Sequence, residues 1–252
     1  DLWNADWISP LLEEKTNLSN PSPVLRKEFN LRPGISKARL YISSHGLYRA
    51  EINGKRVGDQ EFTPGWTSYR HRVQYQTYDV TGLLNASNNA MGIILGDGWF
   101  RGNLAWSGNR NVYGSRLAAI ARLHVWYADG SEAVIGTDDS WKAGTGPIIS
   151  SDIYNGETYD ATRELAGWSS PGYDDGDWEG VETMEIPMEK LIATEGPPVK
   201  IVDELIPVSI EKAGDGQWLV DMGQNMVGRV RISVSGNRGD TITLRHAEVL
   251  DR

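Results

Sequence analysis

The sequence predicts an all-β chain: a jelly-roll or galactose-binding-like β-sandwich followed by the partial start of a second β-sandwich domain. Three observations carry this. Short runs rich in β-branched and aromatic residues alternate with Gly- and Pro-rich connections, strong hairpin signals sit between them, and no stretch sustains a helical period.

Taken in order, residues 1–23 read as a lead-in. Strands follow at "VLRKEFNL" (24–31), "ARLYIS" (38–43) and "LYRAEIN" (47–53), each stopped by turn formers. Asn53-Gly54 and Asp129-Gly130 predict two hairpins, because both residue types tolerate the positive φ of a type I′ turn. Further strands are expected at "QYQTYDV" (74–80), "AMGIIL" (90–95), "AAIARLHVWY" (118–127) and "EAVIG" (132–136). The paired motifs "TDDSWK" (137–142) and "DDGDWE" (174–179) each place an acidic turn before a Trp, a structural arrangement in which Asp bonds its own backbone and the indole packs.

The first domain thus spans 24–194. The stretch "EGPPVKIVDELIP" (195–207) marks a boundary, since its prolines refuse sheet pairing. Residues 195–252 then read as linker and partial second domain, with strands at "QWLVDMG" (217–223), "GRVRISVSG" (228–236) and "DTITLRHAEVL" (240–250). Three or four strands make an incomplete sandwich, so the chain reads as part of a larger parent.

Bulk chemistry narrows the function. A net charge of −9 lacks the clustered cations that nucleic acid requires, and no run of apolar residues is long enough to span a membrane as a helix. With no cysteine there is no disulfide, thiolate metal site or cysteine nucleophile, which leaves the compartment open between cytoplasm and periplasm. A periplasmic or secreted setting is favoured over the cytoplasm. Gly96, Gly98 and Gly102 miss the dinucleotide fingerprint by one residue, and His45, His71, His124 and His246 are too scattered for a triad or a zinc motif.

Two stretches remain as candidates for ligand contact. "GDGWFRGNLAWSGNRNVYGSR" (96–116) combines aromatic faces, which pack on the C–H face of a pyranose, with amides and cations that bond hydroxyls. From it come Trp99, Arg101, Trp106, Asn109, Asn111 and Tyr113. "SSDIYNGETYDA" (150–161) adds Tyr154, Asn155 and Glu157, and its Asp152 and Asp160 are oxygen donors of the kind calcium takes, although six to eight ligands would have to come from more than this one loop. The competing reading makes the first stretch only a connection between strands. No cofactor is required by these residues; calcium is the ion that their oxygen donors would suit.

The runs "LYRAEINGKRVGDQEFTPGWTSYRHRVQYQTYDVT" (47–81), "LGDGWFRG" (95–102) and "DIYNGETYDA" (152–161) closely resemble the N-terminal β-sandwich of bacterial α-L-rhamnosidases, glycoside hydrolase family 78. "VDMGQNMVGRVRISVSGNRGDTITLRHAEVLDR" (220–252) resembles the opening of the next β domain in those enzymes. The resemblance implies a parent enzyme that removes terminal α-L-rhamnose from glycosides or polysaccharides with inversion. Its acid and base would stand roughly 6.5–9.5 Å apart on an α/α barrel downstream. It implies that no residue of this segment is catalytic, and that the segment is accessory, with rhamnosides and the barrel as its partners. Similar modules in some members bind rhamnose through calcium, which would make this segment an autonomous binding module, yet Ser107 and Gly108 of "SGNRN" (107–111) offer no carboxylate for such a site. A third reading, hydrolysis by the segment itself, would set Glu157 or Asp160 against an acid from another loop.

Overall fold

The run from 118 to 127 organises the molecule because both faces of its first half are covered. In the computed structural model, which describes residues 3–105 and 108–249, Ala119, Ala121, Leu123 and Val125 enter one apolar cluster, while Ala118 and Ile120 enter another on the opposite side. A strand buried on both faces loses the polar alternation of a half-exposed one.

The chain divides into two compact units, residues 1–199 and 200–252. In the first, the strands are β1 (Trp7–Pro10), β2 (Pro23–Asn30), β3 (Ile35–His45), β4 (Leu47–Ile52), β5 (Lys55–Arg56), β6 (Val73–Asp79) and β7 (Asn88–Gly96). After a one-turn helix α1 (Gly98–Arg101) come β8 (Ala118–Tyr127), β9 (Glu132–Gly136), β10 (Lys142–Thr145), β11 (Ile148–Asp152), β12 (Gly156–Tyr159), β13 (Glu179–Met184) and β14 (Leu191–Ala193). One hydrogen-bonded path runs β14-β6-β3-β8-β1-β13-β10-β2-β7-β4-β5, with β9 beside β8. β13 joins the two layers, pairing with β1 in one and with β10 in the other.

Between the layers lies the main core. Leu40 and Ile42 of β3, Leu25 of β2, Ile52 of β4, Ile93 of β7 and Leu123 of β8 are all fully buried within it. Each such side chain contributes about 1.5–3 kcal/mol relative to exposure. A second cluster, Trp7, Tyr69, Val73, Phe100, Ala118 and Ile120, covers the outer face of β8 beneath α1 and the segment leading to β14.

The all-β expectation holds, and the strands read from 24 to 136 all form. Elements without a propensity signal were missed. β10 ("KAGT") and β13 ("EGVETM") are rich in Lys, Gly and Glu and exist because neighbouring strands supply ladder partners on both sides. The stretch read as a lead-in contains β1, whose four residues are all buried between β8 and β13. One turn differs in type. Asn53 and Gly54 both have positive φ, as type I′ demands, but at 128–131 only Gly130 does, and its N–H donates to Tyr127 O at 3.0 Å. That hairpin is a type I turn closed by a left-handed glycine, which needs one permissive residue instead of two.

The acidic-Trp motifs are structural in both places. Asp138 accepts from Ser140 N–H at 3.0 Å and from Lys27 at 2.6 Å, and Trp141 packs into the core. Asp175 receives Lys142 and the buried Arg26, whose Nε also donates to Trp168 O at 2.8 Å and so straps the 165–178 loop across β2.

In the second unit, β15 (Ser209–Gly214) and β16 (Gln217–Asp221) form a hairpin. The strands expected at 228–236 and 240–250 are not formed among the described residues, although their apolar residues alternate: Val230, Ile232 and Val234 are 49, 47 and 62% exposed. A strand is stabilised by its ladder and by a covered face, and these runs have neither within this unit.

Candidate functional site

The 96–116 loop is built on glycines that permit close approach. Gly98 has φ +53°, and a Cβ there would stand 2.6 Å from Leu47 Cγ; a Cβ on Gly114 would stand 2.6 Å from the Phe100 ring. Packing, not ligand approach, explains both.

Beneath the loop runs a chain of charges. Arg101, 1% exposed, places Nε 2.7 Å from Asp97 and Nη1 2.6 Å from Glu14. Arg110 reaches the other oxygen of Asp97 at 2.6 Å and Asp152 at 3.5 Å. Asp152 accepts further from Asn103 N–H and Nδ2 at 2.8 and 2.9 Å, and from the N–H groups of Tyr154 and Asn155 at 3.0 Å each. Burial works to raise its pKa, but these donors outweigh it and hold the carboxyl below its usual value. Arg101 shows the same competition: burial opposes its charge, and Asp97 and Glu14 hold it above its ordinary value.

This network ties three segments together, residues 14–20, 96–116 and 150–156. Where they meet is a polar cleft of about 280 Å³, lined among others by Ser19, Asn103, Arg110, Asp152, Asn155 and Thr158. Amides, hydroxyls and a guanidinium in a concave site can bond sugar hydroxyls.

The residues expected at a sugar site separate. Asn155 lines the cleft. Arg101 is a correction: it is buried among carboxylates and presents no group to a ligand. Asn111 donates through its side chain to Thr16 O at 2.8 Å and through its backbone to Arg101 O, and Asn109 O accepts from Leu104 N–H at 3.0 Å, so both shape the loop. Tyr154 and Glu157 are exposed on the β11–β12 hairpin. Trp106 lies outside the described residues.

Trp99 and Tyr113 belong instead to an aromatic surface. Trp99 lies parallel to Trp66, centroids 5.8 Å apart at 7°, and 5.9 Å from Phe62, while Trp66 Nε1 donates to Tyr113 Oη at 3.2 Å. Phe62 and Trp66 are half exposed. Sequence reasoning missed these two, and also missed Asn103 and Arg110; the "PGW" turn and the Arg between two chosen asparagines were the available signals.

A calcium ion does not fit these residues. Among the described residues no three carboxylates or histidines converge, and the space between Asp97 and Asp152 is already bridged by the Arg110 guanidinium. Asp160, which the hydrolytic reading would use, accepts from the Thr162 N–H at 3.0 Å and from its hydroxyl at 2.7 Å and so caps the turn that follows. Asp79, Asp129, Asp138, Asp152 and Asp175 are each held below the usual carboxylate value, whereas a general acid needs a raised one.

Residues 34–203 match the α-L-rhamnosidase N-terminal domain, and residues 211–252 match the bacterial α-L-rhamnosidase concanavalin-like domain. The chain is 47% identical over 230 residues to an α-L-rhamnosidase of Streptomyces avermitilis, covering 90% of this chain and 22% of that protein. It is 36% identical over 259 residues to an α-L-rhamnosidase of an Alteromonas species, covering 99% and 28%. Among solved structures it resembles the native α-L-rhamnosidase from Aspergillus terreus (TM-score 0.85, 41% identity, 88% of this chain and 26% of that one). It also resembles the Streptomyces avermitilis enzyme complexed with L-rhamnose (TM-score 0.80, 42% identity, 83% and 20%). The chain therefore spans between a fifth and three tenths of the relatives it matches.

Proposed function

This chain belongs to the α-L-rhamnosidase family through its N-terminal domain, and from that premise we propose that it is the accessory, non-catalytic N-terminal segment of an inverting α-L-rhamnosidase. The parent would release terminal α-L-rhamnose from glycosides or polysaccharides, with its acid and base on a downstream α/α barrel. The observation that carries this reading is the ordered pair of matches, the N-terminal domain at 34–203 followed by the concanavalin-like domain at 211–252. The test is hydrolysis of an aryl α-L-rhamnoside. The 252-residue chain is expected to be inactive, and a parent carrying the barrel active; turnover by the chain alone would overturn the proposal.

The polar cleft favours a second, compatible reading, in which the segment also holds a rhamnosyl group as a binding module. Asn103 and Arg110 of the 96–116 loop and Asn155 of the β11–β12 hairpin converge there. Arg110 already neutralises the two carboxylates, so this binding would need no calcium. Calorimetric titration with L-rhamnose should give the same heat with calcium or with a chelator, and Asn155→Ala should weaken it. Heat that appears only with calcium would reject the metal-free site, and no heat at millimolar sugar would leave the segment a scaffold.

A further inference from the structure

Arg122 differs from Arg26, Arg101 and Arg110, the guanidiniums that underlie the loops of the first unit. Arg26, Arg101 and Arg110 each have two carboxylate partners. Among the described residues Arg122 has no ion pair, in a chain where 34 carboxylates outnumber 25 lysines and arginines. A guanidinium without a counter-charge beside a cleft is a ready partner for an anion that enters it.

Its surroundings form a cleft of about 470 Å³ on the outer face of the β6–β3–β8 layer. Arg122 of β8 is the cross-strand partner of Tyr41 of β3, and its guanidinium lies 5.7 Å from that ring. Tyr75 of β6 stands 6.4 Å from Tyr41, and Trp3 meets Tyr75 edge to face at 5.2 Å. Leu191 closes one wall and Glu189 adds a carboxylate that is not within ion-pair distance of Arg122.

We propose that this cleft is a carbohydrate site for a sugar bearing a carboxylate, a hexuronate. The sugar carboxylate would accept from the two Nη groups of Arg122 side by side, the end-on fork geometry that suits guanidinium and carboxylate. The C–H face of the pyranose packs on the tyrosine rings, and Glu189 accepts from a hydroxyl. Glu189 also disfavours a dianion, which sets a sugar monocarboxylate above a phosphate. The site shares no residue with the polar cleft and stands or falls independently of rhamnose binding there.

The experiment is calorimetric titration of the 252-residue chain with D-galacturonate and with D-galactose, which differ only at the sixth carbon, and with inorganic phosphate as a third arm. Saturable galacturonate binding is expected, about tenfold tighter than galactose and phosphate. Arg122→Gln should abolish the preference. Arg122→Lys, which keeps the charge and loses the fork, should weaken galacturonate severalfold while the melting temperature and any L-rhamnose response are unchanged. Asn155→Ala should leave galacturonate binding intact. Equal affinity for galactose, stronger binding of phosphate, unchanged binding by Arg122→Gln, or no saturation by tens of millimolar galacturonate would each overturn the proposal.

Discussion

The two units carry similar apolar alternation and bury it very differently. In the first, Leu40 and Ile42 of β3 are fully buried because a second layer faces them. In the second, Ile210, Trp218 and Val220 of the β15–β16 hairpin are 61, 64 and 47% exposed, and Val227 is fully exposed. Alternation specifies which face of a strand needs covering; a partner surface decides whether the strand becomes part of a core. The difference can be tested by removing side chains from each unit in turn.

The largest effect is expected in the main core. Trp141→Ala should cost about 4 kcal/mol, since it removes an indole that is 1% exposed and leaves a cavity. Its Nε1 donor to Gly136 O at 3.2 Å is lost as well. Urea unfolding of the first unit would measure this, and a cost below about 1 kcal/mol would mean the layers repack freely around position 141.

Arg101→Met comes next. It leaves Glu14 without its cation and Asp97 with only Arg110, so about 3 kcal/mol should be lost. Because Arg101 presents no group to the cleft, the variant should retain whatever sugar response the parent chain has at temperatures where both are folded. Loss of sugar binding without loss of stability would restore Arg101 as a contact residue.

Arg101 also shows where sequence reading stops. The strands from 24 to 136 were legible because period-two patterns and turn formers are local signals. So was the family, which rests on long matched runs. The site was not legible in the same way, because its residues are chosen by convergence. An arginine in a Gly-rich loop looks the same on paper whether it is buried like Arg101 or lines a cleft like Arg110. Asp152 had the right chemistry for a metal and received a guanidinium instead. The aromatic surface of Trp66 and Trp99 likewise joins residues 33 positions apart, a separation that no local window spans.

A smaller effect follows from His45, stacked on Phe100 at 4.4 Å and 4.9 Å from Trp7. Burial, and then the positive charge of Lys190, lower its pKa to about 4 from 6.5. The unfolded chain therefore takes up a proton that the folded chain refuses, and the stability held above pH 6.5 is lost progressively as pH falls toward 4. Between pH 7 and pH 5 the first unit should lose about 2 kcal/mol, and His45→Leu should flatten that slope. An unchanged slope in the variant would place the titration elsewhere.

The smallest effect is expected where the comparison is sharpest. Trp218 has the same side chain as Trp141, but it lies on a two-stranded hairpin and is mostly exposed, so Trp218→Ala should change stability by no more than about 0.5 kcal/mol. Amide exchange probes the same point without mutation. Amides of β3 and β8, paired along ten residues, should resist exchange up to global unfolding, while those of 228–249 should exchange at rates close to an unstructured chain. If Trp218→Ala proved as costly as Trp141→Ala, or if 228–249 were protected, the second unit would have found a covering surface in solution, and its alternating pattern would be acting as a core after all.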